Sequence, residues 1–478
     1  MYYISLLFLY QHGHRGERCW AYLSTCTLYA QECTQQTKLS IDFLVIGAGV
    51  SGLACAMALR RVGHRVVVIE REKEIGEFSG SEAVRMPPNL SKIFYHWDLQ
   101  SEVYKFAAKS KAIQISRLET GVLLGTHDWD EEVLSETRGE FLFAHLGDLR
   151  RMMFNVAICQ GAKIRLNTTA VAVDPENRMV TLESGETLTA DVIIGADGVS
   201  GLVRPILLAE QDMAAATEPS LATVPQASVM KNSKSKKFFE PEVITMFSFF
   251  GNNQSVISHP IGGSPAFSFC LWRPWDDFED APEDGLLNAL ENWADGTSPR
   301  LKNLGPMISA PRRVSIFEHP ALEDWVDESG RTIVVGGAAH PIPAGSNQYH
   351  AMGVEDGAVL AKLFSHLSTE SQISDFLYAF QDLRQPRCEK VLTSETQTIQ
   401  YMTMPNCPDQ EARDRGMMAL TAAGTGLFDV ADGGEESPQW AEIKDIFGYD
   451  AEDEADNWWV SWGLLKQRAL ESAQNCRD

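Results

Sequence analysis

Residues 41–70 decide the fold, and they read IDFLVIGAGVSGLACAMALRRVGHRVVVIE. The apolar, β-branched run at residues 41–46 predicts a buried strand, and residues 53–62 carry apolar side chains at helical spacing. Residues 64–70 then read as a second buried strand that ends in an acid, Glu70. The stretch therefore predicts a strand, a turn, a helix and a second strand, which together make a βαβ unit.

The turn between the first strand and the helix has the spacing G-x-G-x-x-G, at Gly47, Gly49 and Gly52. In a dinucleotide-binding unit, the first glycine permits the tight turn and the second lets backbone N–H groups approach a pyrophosphate. The third lets the helix pack closely on the strand. Glu70 stands where an acid accepts hydrogen bonds from the adenosine ribose hydroxyls. With both strands and the acid in place, the motif predicts dinucleotide binding.

Two later stretches repeat the pattern of a strand followed by a turn. Residues 191–198 (DVIIGADG) place a buried strand before Asp197, and Arg204 follows seven residues later. Residues 331–341 (RTIVVGGAAHP) form a strand that enters a glycine-rich turn, and residues 353–361 (GVEDGAVLA) begin a helix. Three elements of this kind therefore point at one ligand.

These motifs, in this order and spacing, resemble the single-component FAD-dependent aromatic hydroxylases of the para-hydroxybenzoate and salicylate hydroxylase type, especially fungal members that serve secondary metabolism. The resemblance covers about residues 40–395 and includes residues 81–89 (SEAVRMPPN), which are similar to a flavin-side segment of that family. It implies FAD as the bound cofactor and NADPH or NADH as a transient co-substrate. It also implies an oxidoreductase, a monooxygenase that uses O2 to hydroxylate or epoxidise an aromatic or polycyclic small molecule.

The resemblance also implies site residues. Arg204 is the catalytic candidate, because its cation could stabilise a phenolate or the nicotinamide carboxamide, and Asp197 would shape the same groove between flavin and nicotinamide. The cofactor-binding candidates are Gly47, Gly49, Gly52, Glu70, Ala83, Arg150, Asp197, Gly336, Gly337 and His350. No metal site is implied, and the sequence indicates no general base.

The chain departs from the pattern of this family at several places. Gly337 stands where an Asp usually bonds the ribityl chain, and Gly201 stands where a Ser is usual. Leu146 replaces a flavin-contacting Arg, although Arg150 or Arg151 could reach in from the next turn. Because a lost contact leaves a buried partner unpaired unless water replaces it, these departures could weaken FAD binding.

A fourth departure lies at residues 347–349, which read Asn-Gln-Tyr in place of Gly-Gln-Gly. The departures leave open a flavin-impaired or non-enzymatic homologue that acts as a binding module. Another flavin chemistry, dehydrogenation or oxidative cyclisation, is a further alternative. His340, after the glycine-rich turn, is either a polar group near the flavin or a structural hydrogen-bonding partner.

The predicted fold class is α/β, with a Rossmann-like FAD-binding domain of the three-layer β/β/α type, an inserted antiparallel β-sheet and a helical tail. The chain would divide into a disordered extension (1–38), a discontinuous FAD-binding domain (39–210 and 315–400), a β-sheet substrate domain (211–314) and an acidic helical extension (401–478). Aromatic residues that could line the substrate pocket, or only pack the sheet, are Phe247, Phe249, Phe267, Phe269 and Trp272. Three tail tryptophans predict docking of the extension on the body or on a partner; they are Trp458, Trp459 and Trp462.

Composition limits the partners. Of the 478 residues, 44% are hydrophobic and 22% are charged, which is ordinary for a folded protein. The net charge of −24, from 41 Lys and Arg against 65 Asp and Glu, argues against nucleic acid and an anionic membrane. The nine cysteines are scattered without a C-x-x-C pair, so neither a zinc site nor a disulfide framework is indicated and the predicted location is cytoplasmic. The expected partners are a small-molecule substrate and O2, in a monomer or homodimer.

Overall fold

The computed structural model of the chain describes residues 36–76, 83–129, 136–208, 214–225, 245–262, 266–274, 286–313, 316–427, 438–466 and 468. Residues 1–35 of the predicted extension therefore lie outside the described residues. So do residues 432–437, which begin the acidic run of the tail.

The elements are numbered in chain order. The strands are β1 (Asp42–Ile46), β2 (Arg65–Ile69), β3 (Ala83–Met86), β4 (Ala108–Lys109), β5 (Ala112–Arg117), β6 (Leu123–Asp128), β7 (Leu142–His145), β8 (Lys163–Arg165), β9 (Ala170–Asp174), β10 (Met179–Leu182), β11 (Thr187–Thr189), β12 (Val192–Gly195), β13 (Ala214–Pro225), β14 (Thr245–Gly251), β15 (Gln254–Ile261), β16 (Ala266–Arg273), β17 (Ser309–Arg313), β18 (Ile316–Glu318) and β19 (Thr332–Val334). The helices are α1 (Val50–Arg61), α2 (Pro88–His96), α3 (Gln100–Val103), α4 (Leu146–Cys159), α5 (Val203–Leu207), α6 (Leu286–Asp295), α7 (Pro299–Leu304), α8 (Ala351–Phe364), α9 (Gln372–Met402), α10 (Pro408–Ala422), α11 (Pro438–Gly448) and α12 (Ala451–Trp458).

A five-stranded parallel sheet in the order β19-β12-β1-β2-β8 carries all three motifs. Its strands are apolar because the sheet is buried, as Val45, Val68 and Ile194 show with no exposed surface. Parallel strands end at the same edge of a sheet, and ligands bind in the crevice outside those carboxyl ends. The turn after β1, Glu70 after β2 and Asp197 after β12 meet at this edge, which confirms the predicted α/β fold class.

A larger sheet has the order β17-β13-β16-β15-β14-β5-β6, with β18 paired to β13. Its neighbours run antiparallel except for β14 and β5, which are parallel. Strands β5 and β6 come from residues 112–128, within the range predicted for the FAD-binding domain. The sheet therefore unites two distant parts of the chain, and the division into domains stays a prediction.

The carboxy-terminal helices dock on the body of the chain. Arg387 of α9 donates to the carbonyl of Ile446 at 2.8 Å and its guanidinium lies 4.2 Å from the ring centroid of Tyr449. In the tail itself, Trp459 stacks on His366 at 4.1 Å, whereas Trp462 is 67% exposed. The predicted docking is confirmed at Trp458 and Trp459, which both contact Phe376, but not at Trp462.

Within the described ranges, every helix is too short or too polar to cross a lipid bilayer. The thiols of Cys55, Cys270, Cys388 and Cys407 are free, whereas Cys159 is disulfide-bonded. The scattered cysteine pattern did not predict that bond.

Candidate active site

A cavity of about 1350 Å³ lies between the carboxyl edge of the parallel sheet and one face of the larger sheet. It is lined by the turn after β1, the end of β2, strand β3, and the loops after β12 and β19. Strands β15 and β16 and helix α9 complete the lining. One continuous space therefore joins the dinucleotide motif to the sheet that the sequence predicts as the substrate side.

The glycine turn after β1 has the geometry that the motif predicts. Gly47 has a φ of +101°, and a Cβ there would lie 2.5 Å from the carbonyl oxygen of Ala196. A Cβ on Gly52 would lie 2.0 Å from the carbonyl oxygen of Gly47. A Cβ on Gly49 would meet no atom of the described residues within 4 Å, and Gly49 lines the cavity. Gly47 and Gly52 therefore serve close packing, whereas Gly49 leaves room for a ligand.

Helix α1 begins at this turn and presents its positive end to the cavity. Its N-cap residue is Gly49, which offers no side-chain cap, and its first turn contains no acidic residue. The backbone N–H groups of a first helical turn have no partner within the helix and attract anions. This terminus therefore suits the pyrophosphate of a dinucleotide.

Glu70 lies at the end of β2, is 8% exposed and lines the cavity. Its Oε2 accepts a hydrogen bond from the backbone N–H of Ala48 at 2.7 Å, and its Oε1 accepts one from the N–H of Glu72 at 2.9 Å. A carboxylate has about four lone-pair sites. Both oxygens are thus held in place by the backbone while keeping capacity for ribose hydroxyls.

Arg150 is one of the two arginines that could stand in for the Arg missing at Leu146, and both Leu146 and Arg150 line the cavity. Its guanidinium lines the cavity and donates to the carbonyl oxygen of Ala48, at 3.1 Å from Nη2. The same Nη2 forms an ion pair with Glu72 at 3.1 Å. Arg151, the other candidate, has a side chain that is 53% exposed and pairs with Asp148. The geometry thus favours Arg150 over Arg151, and its contact with FAD stays a prediction.

Asp197 follows β12 and lines the cavity beside Gly198 and Val199. Its Oδ2 accepts a hydrogen bond from the N–H of Leu202, whereas its buried Oδ1 has no hydrogen-bond partner among the described residues. Burial raises the pKa of this carboxyl. A Cβ on Gly201 would lie 2.1 Å from Cγ of Asp197, so the Gly201 departure is what allows Asp197 this position.

Arg204, the catalytic candidate, does not appear among the residues that line the cavity. Its guanidinium is buried and donates to the carbonyl oxygens of Ala338, at 2.7 Å, and Ala339, at 3.2 Å. It also donates to the carbonyl oxygen of Pro320. These bonds tie α5 to the loop after β19. The geometry favours a positioning role, and a direct catalytic role stays a prediction.

The loop after β19 contains two of the predicted glycines. Gly336 is buried with a φ of +59°, and a Cβ there would lie 2.1 Å from Oγ of Ser51. Gly337 lines the cavity, and the nearest atoms to a Cβ there lie at 3.8 Å. A Cβ at Gly337 is therefore tolerated in this loop conformation.

His340 also lines the cavity, but its polar contact points into the protein. Its Nε2 donates to Asp356 at 2.6 Å, and Asp356 also accepts from the N–H of Gly336. Burial opposes the charge on His340, but Asp356 and Cys388 outweigh burial and raise its pKa to about 10. This pair holds the loop on α8, which favours the structural alternative for His340.

The two remaining candidates, Ala83 and His350, both line the cavity. Ala83 is the first residue of β3 and pairs with His145 of β7. His350 is the N-cap of α8, and burial, with the charges of Arg150 and Arg85, lowers its pKa to about 4. Ten of the eleven predicted residues thus lie at the cavity or in its supporting turns, and Arg204 lies behind it.

On the sheet side, the five aromatic candidates pack the sheet and do not line the cavity, which is the second of the two alternatives that the sequence left open. Phe249, Phe267 and Phe269 belong to a second core on the opposite face, where Phe247 also packs. Trp272 is buried in the main core. The cavity face instead presents Ile257, His259, Ser268 and Cys270, and β3 adds Arg85. Alternation explains this, because Ser268 and Cys270 interleave with Phe267 and Phe269 along β16.

FAD fits the residues present. Gly49 opens on the cavity, the positive end of α1 faces it, and the unpartnered Oδ1 of Asp197 can accept a hydrogen bond from a ligand hydroxyl. Glu70 is positioned for a ribose and Arg150 for a negatively charged group. These are the contacts that an adenine dinucleotide needs.

Comparison with known proteins agrees with this geometry. A family model described as an FAD binding domain matches residues 40–395. The FAD-dependent monooxygenase OpS4 of Beauveria bassiana is 26% identical over 393 residues, which cover 79% of this chain and 89% of that protein. The 3-amino-4-hydroxybenzoate 2-monooxygenase PtmB3 of Streptomyces platensis is 24% identical over 376 residues, covering 78% of this chain and 91% of that protein.

The fold is also similar to solved structures. The crystal structure of CtdE in complex with FAD and a substrate matches with a TM-score of 0.72 at 19% sequence identity, covering 90% of this chain and 100% of that chain. The family match over residues 40–395, together with the G-x-G-x-x-G turn and the cavity beside it, establishes the family. The chain belongs to the FAD binding domain family and is an FAD-dependent monooxygenase.

Proposed function

We propose that this monooxygenase uses NADH or NADPH and O2 to hydroxylate or epoxidise an aromatic or polycyclic small molecule of secondary metabolism, in the cytoplasm and as a monomer or homodimer. The observation that supports the proposal is a cavity that extends from the dinucleotide turn at Gly49 to a partly polar region beside the larger sheet. The name of the Streptomyces relative, which describes oxidation of a substituted benzoate, agrees with an aromatic substrate.

The residues of this chain would bind and position. FAD, when bound, supplies electron transfer from the nicotinamide and the activation of O2. Glu70 and the turn at Gly49 hold the dinucleotide, and Arg204 fixes the loop that carries Gly337. Buried apolar side chains such as Ile257 and Ile342 line the cavity and would limit the access of water to the reaction.

The geometry also bears on the alternative of a flavin-impaired homologue. Arg150 contacts the glycine turn and supplies a cation one helical turn from Leu146, where the family usually has an Arg. Gly201 leaves room for the side chain of Asp197, so the absence of a Ser there is more than the loss of one contact. These two observations support FAD binding, and the departures that remain are Gly337 and the Asn-Gln-Tyr turn at residues 347–349.

A flavin assay tests the proposal. The purified protein should be yellow, and its flavin absorbance should bleach with NADPH or NADH under nitrogen and return with air. With isotopically labelled O2, one labelled atom should enter the product of an accepted substrate. A colourless protein that takes up no added FAD would contradict the proposal. An oxidised product without labelled oxygen would instead indicate dehydrogenation or oxidative cyclisation.

A further inference from the structure

Arg85 is a buried cation within residues 81–89, the segment that is similar to the flavin side of the family, and none of the site roles assigned above uses its charge. It is the third residue of β3 and pairs in register with Phe143 of β7. Side chains alternate along a strand, and here Val84 and Met86 enter the main core while Ala83 and Arg85 line the cavity. Arg85 is 7% exposed, so little of it meets solvent.

The guanidinium of Arg85 has no partner in the part of the chain that the structure describes. No hydrogen bond or ion pair of Arg85 is found there, and its Nη1 is completely buried without an acceptor. Burial lowers the pKa of Arg85, but an arginine keeps its proton in a protein. A buried charge without a partner is strongly unfavourable, so this arrangement calls for an anion that the described residues do not supply.

Glu395, the acid whose charge acts on Arg85, does not fill this role. The charge of Glu395 acts on Arg85, but the Glu395 carboxylate accepts hydrogen bonds from the backbone N–H groups of Asn347, at 3.2 Å, and Gln348, at 3.0 Å. It forms no ion pair with Arg85 within 4.0 Å in the described structure. Burial also raises the pKa of Glu395, which weakens it as a permanent counter-ion.

His259 lies near this guanidinium and supplies a second recognition group. Its ring stacks on Phe143 at 4.3 Å, and its Nδ1 lies 3.0 Å from the carbonyl oxygen of Pro260. A carbonyl oxygen only accepts, so Nδ1 donates and Nε2 of the neutral ring is an acceptor. Burial and the charge of Arg85 hold the pKa of His259 at about 3, so the ring stays neutral near pH 7.

We propose that Arg85 is the specificity-determining residue of this site and that the substrate is an aromatic acid, whose carboxylate binds the Arg85 guanidinium while a ring hydroxyl donates to Nε2 of His259. The planar fork of an arginine matches a carboxylate through two parallel hydrogen bonds. The stacked ring of His259 and the carboxylate-binding strand would together fix one orientation of the aromatic ring beside the flavin. This inference rests on the proposed function, because it assumes that the substrate is an aromatic molecule.

Binding to the FAD-loaded protein tests the proposal with a panel of hydroxylated aromatic acids of one to three rings. Each acid is paired with its methyl ester, for example 4-hydroxybenzoate with methyl 4-hydroxybenzoate. Binding is followed by the change in flavin absorbance and by calorimetry. At least one acid should bind about ten- to a hundredfold more tightly than its ester. The proposal fails if no acid in the panel binds more tightly than its ester.

Two variants assign the effect to Arg85. Arg85→Gln should remove the preference for the acid and leave binding of the ester unchanged. Arg85→Lys should retain part of the preference for the acid. Arg415→Gln, an exposed arginine on α10, should match the wild type. If Arg85→Gln instead loses FAD and keeps the acid preference, Arg85 serves the cofactor and the proposal is overturned. His259→Phe should weaken binding of the hydroxylated acid but not binding of the same acid without its hydroxyl.

The outcomes separate this inference from the proposed function. Bleaching and reoxidation of the flavin without substrate test the monooxygenase proposal and do not involve the charge of the substrate. If that cycle fails while the acid preference depends on Arg85, the binding inference stands and the proposed function falls. If the cycle works and the ester binds as tightly as the acid, only the inference falls.

Discussion

The two ends of the cavity recognise their ligands by different means. At the dinucleotide end, ligand binding depends on backbone groups and on the absence of side chains. Gly49 leaves space for the ligand, and the N–H of Ala48 holds the carboxylate of Glu70 in place. At the substrate end, buried side chains from separate strands, Arg85 and His259, converge on one space. The first end is therefore sensitive to added volume, and the second is sensitive to changed charge.

The largest expected effects come from adding one methyl group at the glycine turn. Gly52→Ala should lose FAD and destabilise the protein by about 1–3 kcal/mol, because its Cβ would lie 2.0 Å from the carbonyl oxygen of Gly47. Gly49→Ala should also lose FAD, but its stability without FAD should stay within about 0.5 kcal/mol of the wild type. Chemical denaturation and FAD titration measure the two quantities.

Gly416→Ala is the matched control for both variants. Its Cβ would meet no described atom within 4 Å, and it lies on α10, away from the cavity lining. It should bind FAD like the wild type. Normal FAD binding by Gly49→Ala would show that no ligand occupies the open space at this turn, and the assignment of the pyrophosphate would be wrong.

Glu70→Ala should weaken FAD binding by about 1–3 kcal/mol, because it removes the expected ribose contact and leaves the N–H groups of Ala48 and Glu72 without their acceptor. Glu70→Gln should have a smaller effect, since it keeps the shape and one acceptor oxygen. Fluorescence quenching of added FAD measures the affinity. Glu186→Gln, in an exposed pair with Arg165, serves as the control, and unchanged affinity in Glu70→Ala would rule out the ribose contact.

The dinucleotide end could be predicted from sequence, because its signals are local. The strand, the turn and Glu70 all fall within residues 41–70, and so does the close contact between Gly52 and the carbonyl oxygen of Gly47. The burial of Arg204 behind the loop could not be predicted, because it depends on carbonyl groups more than 100 residues away, at Ala338 and Ala339.

The substrate end was harder to predict because the face that each strand presents depends on tertiary packing. The phenylalanines of β16 were candidates for the lining, but α6 and α7 cover that face, so the alternating Ser268 and Cys270 meet the cavity. The sequence does contain one signal of this end of the cavity. Arg85 is a charged residue in the otherwise apolar strand β3, and a charge in such a strand requires a partner.

The His340–Asp356 pair gives a pH prediction for the support of the site. The pKa of His340 is raised from 6.5 to about 10, so the pair stabilises the fold fully below about pH 6.5 and loses this contribution as the pH rises through about 10. The free energy of unfolding of the wild type should therefore approach that of His340→Gln over this range. A difference between the two proteins that stays constant with pH would contradict a charged His340.

Gly337→Asp should give the smallest effect, a tightening of FAD binding by about 1 kcal/mol from one restored hydrogen bond. The nearest atoms to the added Cβ lie at 3.8 Å, so the loop should accept the side chain. FAD titration measures the change, and Gly337→Ala separates the hydrogen bond from the added volume. Weaker binding in Gly337→Asp would mean that the loop is adapted to glycine.

The central claim is that FAD occupies the glycine-turn end of the cavity and leaves Arg85 and His259 for an aromatic acid. A crystal structure of the FAD-loaded protein with a bound aromatic acid tests it most directly. We expect the pyrophosphate at the N-terminus of α1 near Gly49, the adenosine ribose on Glu70, and the carboxylate of the acid on Arg85. A structure in which FAD itself contacts the Arg85 guanidinium, or in which the acid binds outside the cavity, would contradict it.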